Sequence, residues 1–258
     1  MPELPRSPNP LRWLWTLIGA VTFYTCLPIP QTWRQEFQGI ARWATAIGLA
    51  IGGILFLLDT GLHWLGIPVL VRSALLVLVW VAITGGLHLD GAMDTADGLA
   101  VIDPARRLQV MSDSHSGAFG VMAAIAILLL KTVALAELSN DRGFALAMAA
   151  GWGRWGQLAA IVRYPYLKSE GKGAFHKAAV RSTWDALPSL LLLLGYEGLY
   201  LALYPSSGFL ILVTTLGGLT IAFTVGAWFN HKLGGHTGDT YGAIVEWTEA
   251  LLLCCLTA

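Results

Sequence analysis

Three carboxylates lie close together in one stretch of the chain, at a spacing that suits a metal ion. Asp90, Asp94 and Asp97 follow one another at i, i+4 and i+7, which places them on one face of a helix. Like charges at this spacing repel, and a hard divalent cation such as Mg²⁺ removes the repulsion because it prefers carboxylate oxygens. The spacing predicts a Mg²⁺ site with positions open for water and substrate phosphates. The alternative is a solvated acidic loop, or a helix start where acids favour the dipole.

A second acidic set lies near the C-terminus. If a helix starts near Asp239, then Asp239, Glu246 and Glu249 share one face at i, i+7 and i+10. Ionisable groups at membrane depth are costly and usually face a bundle interior or a polar cavity. We therefore expect this set to face the first across a shared cavity, completing a second metal position or supplying a base. The alternative for Glu246 and Glu249 is an interfacial helix with one wet side.

The loops around these acids hold candidates for proton transfer and for phosphate binding. His88 and His236 are further candidate bases, because the unperturbed pKa of imidazole lies near neutral pH. Basic side chains near an acid-bound metal suit a polyphosphate, whose oxygens need both kinds of partner. The alternative is a basic loop that sets the membrane topology and meets anionic headgroups. The candidate substrate-binding residues are Arg106, Arg107, Asp113, Arg163, Lys168 and Thr237.

The elements that must position these residues are membrane helices. Of 258 residues, 55% are hydrophobic and only 12% are charged, about half the charged fraction of a soluble domain. We predict one all-α domain over residues 1–258, a polytopic membrane bundle of about six to eight embedded helices with the motif loops on its cytoplasmic face. The predicted spans are 41–58, 68–87, 118–138, 143–163, 185–203 and 208–229, with shorter stretches at 11–27 and 243–258.

The distribution of Lys and Arg predicts the orientation. The loops after the second, fourth and sixth predicted spans all lie on one side and carry eight of the 16 Lys and Arg residues, whereas the opposite side has Arg142 alone, in the turn at 139–142. The positive-inside rule places the basic side in the cytoplasm, so we expect an inner (plasma) membrane protein with a cytoplasmic site. A crossing by 11–27 would leave Arg12 on the wrong side, which favours an interfacial or re-entrant segment. The formal net charge of zero indicates no nucleic-acid partner.

One motif resembles the signature of a known family. Residues 85–98 read GGLHLDGAMDTADG, which is similar to the signature of the cobalamin synthase family, the adenosylcobinamide-GDP ribazoletransferases. The resemblance continues in order through most of the chain. It includes DPARRL at 103–108, the Pro-Tyr and EGKG elements at 165–173, and LGGHTGDTYGA at 233–243 with two glutamates after it.

The resemblance implies a Mg²⁺-dependent transferase of cobalamin biosynthesis. Adenosylcobinamide-GDP would donate its cobinamide phosphate to α-ribazole or to α-ribazole 5′-phosphate, giving adenosylcobalamin or its 5′-phosphate and GMP. Positioning and electrostatics dominate such transfers. In this reading Asp90, Asp94 and Asp97 hold Mg²⁺ on the pyrophosphate, with Asp239 as a further ligand. The lipid bilayer is a partner, and a homo-oligomer is compatible with the sequence.

Two other functions stay as alternatives. A CDP-alcohol phosphotransferase needs Asp-Gly-x-x-Ala-Arg, but here Asp90-Gly91 is followed by Ala-Met-Asp-Thr. A cation- or proton-coupled transporter usually holds its acids near the bilayer midplane within repeated halves. Here the acids lie at the ends of spans, and no repeat is visible in the sequence.

Overall fold

The chain folds as a bundle of helices, as the sequence predicts. The structure, a computed structural model, describes residues 11–168, 174–180 and 182–258, without the side chains of 174 and 175. Residues 169–173, part of the predicted basic loop, lie outside the described residues. Within the described ranges, β-type pairing is limited to one bridge between Tyr166 and His236. The α-helices are α1 (Arg12–Tyr24), α2 (Ala44–Trp64), α3 (Val69–Ile83), α4 (Leu87–Ala100), α5 (Arg107–Val110), α6 (Ala118–Glu137), α7 (Arg142–Arg163), α8 (Ala174–Ala179), α9 (Leu187–Leu203), α10 (Gly208–Leu233) and α11 (Gly238–Cys255).

Several of these helices are long and apolar enough to cross a bilayer, so the chain is a multi-pass membrane protein. Among the described residues, four helical stretches meet this condition by themselves, and α3 with α4 makes a fifth if the bent pair counts as one span. The four are Ile40–Trp64, Ala118–Glu137, Thr183–Leu203 and Pro205–Leu233. The predicted number of six to eight embedded helices is approximate, since it also counts helices that the bundle itself encloses.

Two of the enclosed helices, α7 and α11, form the centre of the bundle. Every residue of α7 from Phe144 to Ile161 is buried, and α7 packs against α2, α10 and α11. Glycine permits the contact with α2, because a Cβ at Gly48 would lie 2.3 Å from the Ala150 carbonyl oxygen. A helix surrounded by other helices meets little lipid and need not be strongly apolar.

Helix α1 is too short to cross the membrane by itself. Its 13 residues measure about 20 Å at 1.5 Å per residue, against a hydrocarbon core of roughly 30 Å. The backbone N–H of Cys26, just after α1, donates a hydrogen bond to the Ile83 carbonyl at 2.7 Å. This contact fixes the end of α1 beside the junction of α3 and α4.

A buried ion cluster lies at the other end of the bundle, where α2 ends and α3 and α7 begin. Arg142 Nε donates to Asp59 Oδ2 at 2.8 Å, and Arg72 Nε lies 3.0 Å from Asp59 Oδ1. All three residues are less than a tenth exposed. Arg142 is therefore used inside the protein, in an ion pair with Asp59.

Candidate active site

The first acidic motif forms α4, which turns sharply away from α3. Gly85 and Gly86 connect the two helices with φ angles of 60° and 70°, a region that favours glycine. The predicted span 68–87 therefore ends at Ile83, and α4 runs at 90° to α3. Asp90, which is exposed, and the half-buried Asp94 follow on α4.

Two glycines allow α4 and α11 to cross in direct contact. A Cβ at Gly91 would lie 2.7 Å from the Asp239 carbonyl oxygen, and a Cβ at Gly242 would lie 2.9 Å from the His88 carbonyl oxygen. A side chain at either position would separate the helices. The crossing brings Asp239, at the start of α11, to the acidic face of α4.

The resulting cluster carries an excess of negative charge. Burial opposes ionisation of Asp94 most, and the charges of Asp90, Asp239 and Asp97 oppose it too, whereas Lys168 favours it. Lys168 Nζ donates a hydrogen bond to Asp239 Oδ2 at 3.0 Å. Several carboxylates facing one lysine would be stabilised by a further cation.

Lys168 reaches this cluster because its loop pairs with the loop before α11. The Leu167 N–H donates to the His236 carbonyl at 2.8 Å, and the His236 N–H donates to the Pro165 carbonyl at 2.9 Å. Thr237 then caps α11, accepting from the Thr240 N–H at 3.3 Å and donating to Asp239 Oδ2 at 3.1 Å. Two predicted substrate-binding residues, Lys168 and Thr237, are thus held on Asp239.

Asp97, the third carboxylate of α4, is occupied by backbone groups. Its two oxygens accept from the Gly117 N–H at 2.7 Å and the Gly120 N–H at 2.8 Å, at the first turn of α6. Carboxylates are favoured at a helix N-terminus because free N–H groups and the helix dipole meet there. Its geometry is that of a helix cap, which the metal-ligand prediction did not include.

A cavity of about 120 Å³ lies beside the α4–α11 crossing. His88 lies deep in it, with 2% of its surface exposed, and neither ring nitrogen has a hydrogen-bond partner in the described part of the chain. The cavity is lined by Phe23, Leu87, His88, Asp90, Gly91, Gln157, His176, Gly238, Asp239, Tyr241 and Gly242.

His236, the other candidate histidine, lies outside the lining of this cavity. Its Nδ1 lies 3.0 Å from Thr240 Oγ1, and its ring stacks on Tyr241 at 5.6 Å between centroids. Burial lowers the pKa of His236 to about 4, so the ring is neutral at neutral pH. Its contacts join the loop before α11 to the helix itself.

Glu246 and Glu249 do not join the acidic cluster, contrary to the expectation of one shared cavity. Lys131 Nζ on α6 donates to Glu246 Oε2 at 2.6 Å and to Glu249 Oε2 at 2.5 Å. Arg154 Nη1 on α7 donates to Glu249 Oε1 at 2.7 Å. The two glutamates turn into the bundle because buried cations on α6 and α7 neutralise them there.

The other predicted phosphate-binding residues lie away from the cavity lining. Arg106 and Arg163 are exposed, and Arg163 lies over the Tyr164 ring at 5.7 Å. Arg107 donates to the carbonyls of Val101 at 3.1 Å and of Lys232 at 3.0 Å, so it ties the segment after α4 to the end of α10.

Asp113 is also exposed and pairs with its neighbour. His115 Nδ1 lies 2.7 Å from Asp113 Oδ1, and the hydrogen bonds from His115 lower the pKa of the Asp113 carboxyl. No contact in the described residues connects Asp113 to the carboxylates of α4.

Several residues of the site and of the core behind it were not among the predicted functional residues. Lys131 and Arg154 could have been noticed, since ionisable residues inside apolar spans are rare and usually have partners. Gln157 and Tyr241 gave no such signal, because single amides and phenols are common in membrane helices.

The acidic cluster fits Mg²⁺ in its chemistry. In the described part of the chain, no three His, Cys, Asp or Glu side chains are already grouped as metal ligands. Mg²⁺ usually takes one or two protein carboxylates and completes its shell with water and substrate phosphates. Asp90, Asp94 and Asp239 can supply such a partial set, leaving room for a substrate.

Comparison with known proteins identifies relatives along nearly the whole chain. A family described as cobalamin-5-phosphate synthase matches residues 16–257. A relative from Trichormus variabilis is 59% identical over 244 residues, covering 95% of this chain and 97% of its own. One from Synechococcus elongatus is 53% identical over 249 residues, covering 96% and 98%.

A more distant relative also matches along nearly the whole chain. A Prochlorococcus marinus protein is 39% identical over 254 residues, covering 95% of both chains. All three relatives are named adenosylcobinamide-GDP ribazoletransferase. No solved structure matches the chain. Because the family match and the relatives each cover more than nine-tenths of its length, the chain belongs to the cobalamin-5-phosphate synthase family.

Proposed function

We propose that this chain joins adenosylcobinamide-GDP to α-ribazole, or to α-ribazole 5′-phosphate, in a Mg²⁺-dependent reaction at the α4–α11 cavity. The products are adenosylcobalamin, or its 5′-phosphate, and GMP. Relatives at up to 59% identity carry the name of this enzyme. One observation carries the location: Asp90 and Asp239, from two separate motifs, line the same cavity.

Asp90, Asp94 and Asp239 are the proposed holders of Mg²⁺. Bound there, the ion would neutralise charge on the pyrophosphate of the donor. Asp97 would contribute indirectly, because its hydrogen bonds to the start of α6 fix the orientation of α4.

Lys168 is the proposed partner of the phosphate oxygens. Its ammonium group rests on Asp239 in the structure and lies at the edge of the acidic cluster. An ammonium group attracts phosphate oxygens as a compact positive charge, and it would offset the charge that develops on the leaving GMP.

The reaction itself is a phosphoryl substitution that balances without a further reactant. A ribose hydroxyl oxygen of the acceptor bonds to the phosphorus that carries the cobinamide. The bond from that phosphorus to the bridging oxygen breaks, and GMP leaves with this oxygen. The hydroxyl proton passes to a base on the protein or to solvent.

His88 is the proposed base. Of the four candidates, it alone lines the cavity beside Asp90 and Asp239, and its ring nitrogens have no partner among the described residues. Glu246 and Glu249 are held by Lys131, and His236 is engaged with Thr240.

The proposed location is the inner membrane, with the cavity open to the cytoplasm. The support is the basic character of the loops that surround the cavity. Cys26 and Cys255 are exposed, and α11 separates Cys255 from the cavity by its full length of about 26 Å. In sealed right-side-out vesicles, an impermeant thiol reagent should label a single-cysteine variant at 255 and spare one at 26. The reverse pattern would place the cavity outside.

The activity is tested with purified protein in detergent. Adenosylcobinamide-GDP, α-ribazole and Mg²⁺ are supplied, and the cobalamin product and GMP are followed by chromatography. We expect equal amounts of both products, lost on removal of the metal and in Asp94→Asn. Absence of product from folded wild-type protein, with either form of α-ribazole, would refute the proposed function.

A further inference from the structure

Three buried side chains in the cavity carry polar atoms that lack protein partners. These atoms are Nδ1 and Nε2 of His88, Oε1 of Gln157 and Oη of Tyr241, none of which has a hydrogen-bond partner in the described ranges. The three residues are 2%, 4% and 1% exposed. Buried polar groups are nearly always hydrogen-bonded, so such a set indicates a ligand or ordered water. We call these three residues the floor.

The floor is assembled from three helices. His88 lies on α4, Gln157 on α7 and Tyr241 on α11, and all three line the same cavity of about 120 Å³. An imidazole, a carboxamide and a phenol together offer hydrogen-bond donors and acceptors without a permanent charge. The edge of the cavity differs, because Asp90 and Asp239 lie there.

The charged edge and the uncharged floor suit different parts of the substrates. A charged edge suits a metal-bound pyrophosphate, whereas neutral donors and acceptors suit hydroxyl groups. A cavity of about 120 Å³ is large enough for a sugar ring and too small for a corrin.

We propose that the floor binds the ribose of the acceptor nucleoside and thereby positions its attacking hydroxyl. This inference rests on the proposed function. His88 and Asp90 line the same cavity, so a ribose on the floor lies next to a pyrophosphate held at the edge. Gln157 and Tyr241 would act as positioning and recognition residues, whereas His88 would also accept the proton.

The rival occupant is the guanosine part of the donor, which also carries hydroxyl groups. The two are separated by kinetics, because each substrate can be varied while the other is saturating. A site for the acceptor ribose affects the KM for α-ribazole, and a site for guanosine affects the KM for adenosylcobinamide-GDP.

The first arm of the test uses Gln157→Leu and Tyr241→Phe. Tyr241→Phe removes a hydroxyl that has no hydrogen-bond partner among the described residues. Gln157→Leu removes a carbonyl oxygen of the same kind, together with an amide nitrogen that interacts with Tyr24. Both keep much of the side-chain volume, so folding should survive. We expect the KM for α-ribazole to rise about tenfold or more in each variant. The KM for adenosylcobinamide-GDP and the Mg²⁺ requirement should not change.

Thr248→Val is the matched control. Thr248 lies on α11 with Tyr241, is fully buried and has a hydroxyl with no hydrogen-bond partner among the described residues, but it does not line the cavity. It should leave both KM values as in the wild type. If Thr248→Val raised the KM for α-ribazole equally, altered helix packing would explain the changes in all three variants, and the proposal would be overturned.

The second arm of the test changes the acceptor, and its main measurement is made with the wild-type enzyme. An α-ribazole analogue that lacks the ribose hydroxyl next to the acceptor hydroxyl should show a raised KM with the wild-type enzyme. In Tyr241→Phe or Gln157→Leu, replacing α-ribazole by the analogue should raise the acceptor KM by a smaller factor than in the wild type, because the same contact is already absent. The proposal would be overturned if the substitutions raised the KM for the donor. It would also be overturned if, in both variants, the effects of the substitution and of the analogue on the acceptor KM were fully additive. Failure of the proposed function is distinct, since the wild type would then make no cobalamin.

Discussion

Lys168 Nζ lies 3.0 Å from Asp239 Oδ2, so a basic loop and an acidic helix start are joined at the edge of the cavity. About a quarter of each side chain is exposed, and ion pairs of this kind contribute roughly 0–1 kcal/mol. Such a pair is weak enough to exchange partners. A divalent cation that takes over the Asp239 carboxylate would release the ammonium group to a phosphate oxygen.

The first prediction concerns Lys168. Lys168→Met should raise the KM for adenosylcobinamide-GDP about tenfold, because the phosphates lose a cationic partner, while the KM for α-ribazole changes little. Steady-state kinetics at saturating Mg²⁺ measure both values. Lys232→Met removes another lysine, which lies in the last turn of α10 and outside the cavity lining, and should behave like the wild type. An unchanged donor KM in Lys168→Met would contradict the assignment.

The second prediction concerns the crossing of α4 and α11. Gly91→Ala places a Cβ 2.7 Å from the Asp239 carbonyl, so the helices must separate and the carboxylates move apart. We expect kcat to fall at least tenfold and the Mg²⁺ concentration for half-maximal rate to rise. Gly53→Ala is the control, since a Cβ there has nothing within 4 Å. Equal activity of the two variants would show that close approach at Gly91 is not needed.

The local features of the fold could be predicted from the sequence. Apolar runs located most helices to within a few residues, because a bilayer demands about 20 apolar residues per crossing. The spacing of Asp90, Asp94 and Asp97 correctly placed them on one helix. Both inferences depend on neighbours in the chain, which a sequence shows directly.

The partners of the buried charges could not be predicted, because they lie far apart in the chain. Glu246 and Glu249 share a helix with Asp239, and sequence spacing alone grouped the three. The two glutamate side chains instead point toward Lys131, which lies more than a hundred residues away in the chain. Helical periodicity is also unable to distinguish a carboxylate that binds a metal from one that caps another helix, as Asp97 does.

The third prediction separates the cap from the cluster. Asp97→Ala removes the acceptor for two N–H groups of α6 and should cost about 1–2 kcal/mol of stability, the usual cost of losing a cap. Asp90→Ala relieves repulsion between carboxylates and should not lower stability, although it should abolish most activity. Thermal unfolding in detergent without Mg²⁺ measures the first effect. A greater loss of stability in Asp90→Ala than in Asp97→Ala would reverse the two roles.

The fourth prediction concerns the ion network of Lys131, Glu246, Glu249 and Arg154, all less than a twentieth exposed. Lys131→Met leaves two buried carboxylates facing Arg154 alone, and it should destabilise the protein by about 3–5 kcal/mol, because an uncompensated buried charge is costly. Adding Glu246→Gln removes the excess charge and should restore a large part of the loss, whereas Glu246→Gln alone should be destabilising. The three variants form a double-mutant cycle whose unfolding free energies give the coupling between the two side chains. Additive losses would mean that Lys131 stabilises the bundle through its packing against the Trp80 ring, 4.6 Å away, and not through Glu246.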